Sequence, residues 1–339
     1  MALRCAGQSI KGERCNLNLE EGDMEPSSRE ILTEIGRQLD ANVFPHVFDG
    51  GVVMPSASDV VSFALGEETD DEQQRPRGPA AGSRKGTARR KGTPCRSRQA
   101  GASARISGRM LRTAYEAQVG SLEKVYPTSR VFPDDDGMWL QTQSSVLSGL
   151  DYGATFLIAL PFAPGFGPRA WGFWNDPGGP LWIGPRHTNF FDGSICAFSP
   201  SDNVWTEGGN LTSLVDLYTV WALRHLHLKV TGRWPGRQYS LPPPNEVLNP
   251  YYRMAQCKDD ELCGCGSLTA RYAECCKPRD LRFDLGRLAQ DFVRHMGGRL
   301  GDRKPPRAIA DFATGECTAP RISDVHNLMA PMVRTSKQA

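Results

Sequence analysis

The 339-residue chain has little of what marks a secreted or membrane-embedded protein. No apolar run follows a basic start at the N-terminus, so no secretory signal is expected. No stretch approaches the roughly 18–20 uninterrupted apolar residues that a membrane span needs, so no membrane partner is expected. An excess of one charge sign is also missing. Lys and Arg number 40 against 38 Asp and Glu, and a net charge of +2 excludes a strongly basic footprint for the whole chain. Hydrophobic residues make up only 39%, while 35 Gly and 25 Pro are generous, a mix that suggests a globular centre diluted by flexible segments. These absences predict a cytoplasmic protein, in which thiols stay reduced. The ten cysteines then point to metal binding or catalysis ahead of disulfides. The sequon at Asn210-Leu-Thr212 is accordingly uninformative.

Composition divides the rest. Residues 1–66 read as a poorly defined N-terminal region with one short helix. There Ser27-x-x-Glu30 has the form of a capping box, and Ile31, Leu32, Ile35 and Leu39 form one stripe. Cys5 and Cys15 have no second ligand pair nearby and read as free thiols. Residues 67–109 form a charged linker: an acidic run from Glu67 to Glu72, then basic residues from Arg75 to Arg98. With almost nothing apolar to bury, this block is expected to be disordered, and without interleaved aromatics it reads as a solvated tether, not a nucleic-acid tail.

Residues 110–240 carry the periodic signals of a core. Leu111, Ala114, Tyr115, Val119, Leu122 and Val125 recur at helical spacing until Tyr126-Pro127. Met138–Val146, Ala154–Leu160, Trp171–Trp174 and Leu181–Ile183 are β-branched and aromatic runs of strand length. Leu211–Leu228 is a second helix, with Leu211, Leu214, Val215, Tyr218, Trp221, His225 and Leu228 on its face and Gly232 at its end. His225 and His227 lie two apart, which directs them to different faces and excludes a helical metal pair. The order of helix, three or four antiparallel strands, cysteine loop and helix is an α+β arrangement.

The stretch His187-Thr-Asn189-Phe-Phe-Asp-Gly193-Ser-Ile-Cys196 places one thiol seven residues after a carboxamide. A thiolate attacks a carbonyl or thioester, and an amide N–H stabilises charge building on the acyl oxygen. A single cysteine is by default a buried core thiol. The His-x-Asn turn, the Gly-Ser-Ile approach and the downstream Trp205 favour a functional one.

In order, Leu160-Pro-Phe-Ala-Pro-Gly-Phe-Gly-Pro168, His187-Thr-Asn189, Gly193-Ser-Ile-Cys196, Trp205 and the helix from Leu211 resemble the core of ubiquitin-conjugating enzymes. The likeness is closest to bacterial members found in antiphage operons, and it covers about a third of the chain. Thr188 stands where that family has Pro, the Asn-to-Cys spacing is one residue shorter, and Trp205 falls one residue further on. The resemblance implies a ubiquitin-conjugating-enzyme-like fold. It also implies a transferase activity, in which Cys196 accepts a ubiquitin-like modifier as a thioester from an activating enzyme and passes it to an amine of a target protein. It gives Asn189 to the oxyanion or the loop that holds it, His187 to bracing that loop, and Trp205 and Gly193 to its support. Arg112, Lys124 and Arg130 would offer a basic face to the activating enzyme. Two alternatives stand beside it: a cysteine hydrolase using His187 as base, and a non-catalytic scaffold whose zinc motif binds partners.

Residues 250–300 hold a second signal. Cys263, Cys265, Cys275 and Cys276 lie within fourteen residues, and Gly264 and Gly266 allow a tight turn. Four thiols so spaced suit one tetrahedral zinc, with Cys257 as an alternative ligand. The segment resembles the SEC-C zinc motif, although Cys265 to Cys275 is one residue longer and Leu268 replaces a Gly. A closed thiolate set implies a structural ion that docks the following helix on the core, through Leu281, Leu285, Leu288, Ala289, Phe292 and Met296. Residues 301–339, rich in Pro, read as a flexible tail containing Cys317.

Overall fold

A computed structural model describes residues 26–43, 45–48, 51–53, 107–146, 153–189, 192–198, 204–239, 248–295 and 303–327. The expectations for Cys5, Cys15, the 67–106 linker and Met296 lie outside the described residues. The protein is α+β. Helix α1 (Pro26–Asp40) leads into a small hairpin, β1 (His46–Phe48) and β2 (Gly51–Val53). Strands β3 (Arg130–Asp134), β4 (Gly137–Ser145), β5 (Gly153–Pro161), β6 (Arg169–Asp176) and β7 (Gly179–Trp182) form an antiparallel meander. The hairpin joins that sheet at the far end of β4, where Gly51 lies parallel to Ser145.

Side chains alternate along each strand, so every strand presents one set to each face. Met138 and Leu140 of β4, Phe156, Ile158 and Leu160 of β5, and Ala170 of β6 face the main core with Leu214, Val215, Tyr218, Trp221 and Ala222. Those last five lie on helix α4 (Leu211–Thr231), which begins on the Asn210 cap and ends at Gly232 in left-handed backbone, φ 72°. Asn210 Oδ1 accepts from Ser213 N at 3.0 Å, so the sequon asparagine is the helix cap. Helix α1 crosses α4, burying Leu32, Ile35 and Leu39, while Ile31 of the expected stripe is exposed. Because the helix starts at Pro26, Ser27 lies inside its first turn and not at the cap position that a capping box requires.

The single helix expected over 111–125 is two: α2 (Gly108–Glu116) and α3 (Val119–Val125). The break at Ala117-Gln118 has a tertiary cause. Gln118 Nε2 donates back to Ala114 O at 2.9 Å, and its Oε1 accepts from Leu211 N at 2.9 Å, satisfying an orphan donor at the start of α4. Periodicity continues through the break, so the sequence alone conceals it.

The opposite face of the sheet is covered by the C-terminal region. Helices α5 (Asn249–Gln256), α6 (Lys277–Asp280) and α7 (Leu285–His295) precede it. Helices α8 (Arg307–Ala313) and α9 (Ile322–Asn327) then bury Ile309, Phe312, Ile322 and Val325 against Trp139, Leu157, Ala159, Trp171 and Phe173. Trp139 Nε1 donates to Pro320 O at 2.7 Å. Residues 303–327 therefore form an ordered layer where composition predicts a loose tail. The few apolar residues among its prolines are spaced to meet one face of the sheet. Covered on both sides, β5 is buried from Ala154 through Pro161. Among the described residues no helix is long and apolar enough to cross a membrane.

Candidate functional site

The line of β7 along the outer edge of β6 continues past the strand. Ile183 N donates to Gly172 O at 2.8 Å, and Ile195 N donates to Ala170 O at 2.7 Å. The cysteine loop is thus hung on the sheet edge through the residue before Cys196. It closes on itself as well: Thr188 bridges Ile195, Cys196 N donates to His187 O at 2.9 Å, and Asn189 N donates to Ser194 O at 2.7 Å. His187, Asn189, Gly193 and Cys196 are brought together in one hairpin. Cys196 stands exposed at its end.

A buried polar knot fills the hairpin. Asn189 Nδ2 donates to Ser194 Oγ at 2.9 Å, and Ser194 Oγ donates to Asp192 Oδ1 at 2.8 Å. Asp192 is only 1% exposed and is ion-paired with the buried Arg169. The indole N–H of Trp171 donates to Asp192 O at 2.8 Å. A buried carboxylate paired this fully braces the loop and does not face an incoming amine. The carboxamide of Asn189 is likewise engaged within the loop. Glu207, another acidic neighbour, accepts from Gly165 N at 2.9 Å and ties two loops together.

His187 adopts left-handed backbone at φ 50°. Its carbonyl receives both Cys196 N and, at 3.0 Å, the indole N–H of Trp221. Its imidazole stacks on Trp234 at 4.4 Å, with Nε2 buried and without a hydrogen-bond partner among the described residues. Burial, with Arg186, Arg224 and His225 nearby, holds this imidazole well below the usual histidine range and therefore neutral. The side chain packs the base of the loop. Trp205, 6% exposed, donates to Asn210 O at 2.8 Å and packs against Phe198, linking the chain after Cys196 to the start of α4. Of the basic residues expected to offer a face, Lys124 and Arg130 are exposed, whereas Arg112 donates to Asp135 O at 2.9 Å and lies over the Phe162 ring.

Cys263, Cys265, Cys275 and Cys276 converge, with all four sulfurs within 4.8 Å of one another. Cys265 Sγ lies 3.7 Å from Cys275 Sγ, which lies 3.9 Å from Cys276 Sγ. A tetrahedron with zinc–sulfur bonds of about 2.3 Å has edges of about 3.8 Å, so the thiol set fits a closed four-sulfur metal site. Burial pushes the Cys263 thiol up and raises Cys275 to about 11, so these protons would be displaced on metal binding. Cys257 is buried and close by: a Cβ on Gly264 would come within 2.9 Å of its sulfur, but it stands outside the cluster of four. The helix expected to dock on the core buries Leu288 and Phe292. Phe292 packs on Tyr251 of α5 at 4.9 Å, while Leu281 and Leu285 stay exposed.

Sequence reasoning missed how the two regions are joined. Arg186, one residue before His187, is buried, and its Nη2 donates to Glu261 Oε2 at 2.9 Å and Gln238 Oε1 at 2.8 Å. Glu261, two residues before Cys263, is fully buried and also accepts from Trp234 N at 2.8 Å and Lys258 N at 3.1 Å. An isolated Arg and Glu separated by 75 residues carry no sequence signal of pairing.

Comparison with protein families, curated proteins and solved structures returns no match for this chain.

Proposed function

We propose that the protein is a ubiquitin-conjugating-type acyl transferase whose core is built on residues 110–240. It takes a ubiquitin-like modifier from an activating enzyme as a thioester on Cys196 and passes it to an amine on a target protein. The setting inferred from the resemblance is bacterial antiphage defence in the cytoplasm. The observation that carries this reading is an exposed thiol at the end of a hairpin whose interior is fully braced. The order of elements, with meander, cysteine loop and long helix, agrees with it.

Loading is an exchange of like bonds. The Cys196 thiolate attacks the modifier's thioester carbon, a C–S bond forms, and the activating enzyme's thiolate leaves. In discharge the acceptor nitrogen attacks the same carbon, an amide bond forms, and Cys196 departs as thiolate while the amine proton passes to solvent. Positioning and charge stabilisation therefore matter more than bond energy. With its carboxamide on Ser194, Asn189 serves by holding the hairpin. His187, neutral and stacked on Trp234, is a packing group, which disfavours the hydrolase alternative that needs it as a base.

The four-cysteine cluster would hold zinc through Cys263, Cys265, Cys275 and Cys276. A bound ion there supplies structural cross-linking, because four thiolates leave no open position for water. In this reading the metal module stabilises the cysteine loop through Glu261 and Arg186. The experiment is direct: incubation with the candidate modifier, its activating enzyme and ATP, then a non-reducing gel. A reductant-sensitive adduct lost in Cys196→Ser and kept in Cys263→Ser supports the transferase. Hydrolysis without an adduct supports the hydrolase, and neither outcome leaves the scaffold.

A further inference from the structure

The four sulfurs of the metal cluster differ in what can reach them. Cys263 and Cys276 are 0% and 5% exposed, whereas Cys265 is exposed and Cys275 half-buried. The two accessible thiols lie on opposite limbs of the metal loop, with their sulfurs 3.7 Å apart. Pairs within one limb are poorly suited to a cross-link. Cys275 and Cys276 are adjacent, and Cys263 and Cys265 only two apart, so a disulfide in either would close a small, strained ring. Cys265 and Cys275 are ten residues apart. A disulfide needs about 2.0 Å between sulfurs, so the two limbs must still approach. Cys265 stands between Gly264 and Gly266, and Gly266 is left-handed at φ 86°, which gives this limb room to adjust. The other limb is firmer: Cys275 N donates to Arg271 O at 3.0 Å and Lys277 N to Tyr272 O at 3.1 Å.

The buried end of the same loop reaches the cysteine hairpin. Cys263 N donates to Ala270 O at 3.0 Å and Tyr272 N to Glu261 O at 2.9 Å, so both limbs meet at Glu261. The Glu261 carboxylate in turn holds Arg186, next to His187, at 2.9 Å. A bound ion cross-links the limbs just beyond this junction. Losing it removes that brace from the base on which the Arg186 lock depends.

We propose that Cys265 and Cys275 are a modification site for hydroperoxides, oxidised to a disulfide with loss of the metal, and that this loosens the Cys196 hairpin. The inference rests on the cluster holding zinc. A metal-bound cysteine is kept as thiolate, the form that peroxide attacks, and attack follows exposure. The Cys265 thiolate attacks one peroxide oxygen; the O–O bond breaks, an S–O bond forms and hydroxide leaves. The Cys275 thiolate then attacks that sulfenic sulfur; an S–S bond forms, the S–O bond breaks and a second hydroxide leaves. Two electrons pass from the two sulfurs to the peroxide. The chain is left with two thiolates for the ion, too few for a closed site, and releases it.

The test uses the full chain purified under reductant, with its zinc counted by elemental analysis before hydrogen peroxide is added. A chromogenic chelator follows metal release, mass spectrometry of unreduced peptides maps the cross-link, and amide exchange is followed over residues 183–189. Release of one ion for each Cys265–Cys275 disulfide is expected, with faster exchange over 183–189, both reversed by reductant and added zinc. Cys265→His keeps a metal ligand but cannot cross-link, so it should hold its ion at a peroxide dose that empties the wild type. Where that variant does not load, Cys275→His takes its place under the same criterion. Release without this disulfide, or a histidine variant that empties as fast as wild type, overturns the proposal. Unchanged exchange over 183–189 once the disulfide has formed overturns its link to the hairpin. A zinc-loaded chain that keeps its ion under peroxide sinks this inference alone, whereas a chain purified without zinc sinks the metal reading with it.

Discussion

Removing Glu261 is expected to damage both functional regions at once, and the size of the damage follows from its surroundings. The carboxylate is fully buried and accepts from Arg186, Gln238, Trp234 N and Lys258 N, at distances between 2.8 and 3.3 Å. Glu261→Ala leaves the Arg186 guanidinium, 8% exposed, without its counter-charge. Breaking one side of such a pair costs about 3–5 kcal/mol, and an orphaned Trp234 N–H adds about 1–3 kcal/mol, the two overlapping in part. A loss of at least about 3 kcal/mol is a large share of the 5–15 kcal/mol that typically stabilises a domain. Urea titration followed by tryptophan fluorescence suits the measurement, since Trp234 lies under the Arg186 guanidinium at 5.5 Å. The double variant Arg186→Met with Glu261→Leu should recover the part due to the unpaired guanidinium but not that due to the orphaned Trp234 N–H, giving a coupling of at least about 2 kcal/mol. A cost below about 1 kcal/mol for Glu261→Ala, or additive single variants, would refute the idea that this pair joins the metal module to the cysteine loop.

Three further outcomes are expected. Asn189→Ala, which removes the carboxamide holding Ser194 Oγ, should slow discharge to lysine by about tenfold, the scale of one lost bracing hydrogen bond, and Ser194→Ala, which also loses the contacts to Asp192 and Arg169, should slow it at least as much; unchanged single-turnover discharge in both variants would show that bracing of the hairpin does not matter. Purified protein should hold about one zinc per chain by elemental analysis, and chelation or Cys263→Ser should lower its melting temperature; an unchanged melting temperature after metal removal would contradict a structural ion. Stability should fall on acidification: burial lowers His225 to about 3 and also depresses His187 and His227, so below about 6.5 the unfolded chain takes up protons that the folded chain refuses. His225 alone adds a loss of about 1.4 kcal/mol per pH unit between about 6.5 and about 3, and His225→Gln should flatten the slope of urea-derived stability against pH by about that amount.

Much of the architecture was readable because one physical signal dominated each part. The runs at 138–146 and 154–160 match β4 and β5 to within a residue or two, since alternating bulk has one outlet on a pleated strand. The Leu211 helix was equally clear, with its glycine stop. What escaped depends on tertiary partners. The break in the first core helix is held by Gln118 reaching to α4, and the C-terminal layer by four apolar side chains finding the far face of the sheet. The cysteine loop was legible as a motif, but its interior was not. Arg169, Asp192 and Ser194 look like ordinary surface-compatible residues until the sheet edge brings them together. The four-cysteine cluster was legible because the spacing is local. Its tie to the loop, through Arg186 and Glu261, is long-range and left no local trace.

Intact-mass analysis of the chain after reaction with modifier, activating enzyme and ATP bears most directly on Cys196 as an acyl carrier. The transferase account predicts a gain of one modifier less water, reversed by thiol reductant and mapped to the Cys196 peptide, and converted to a reductant-resistant ester in Cys196→Ser. An unmodified mass under conditions where the activating enzyme is itself charged, or an adduct that persists in Cys196→Ala, would contradict it.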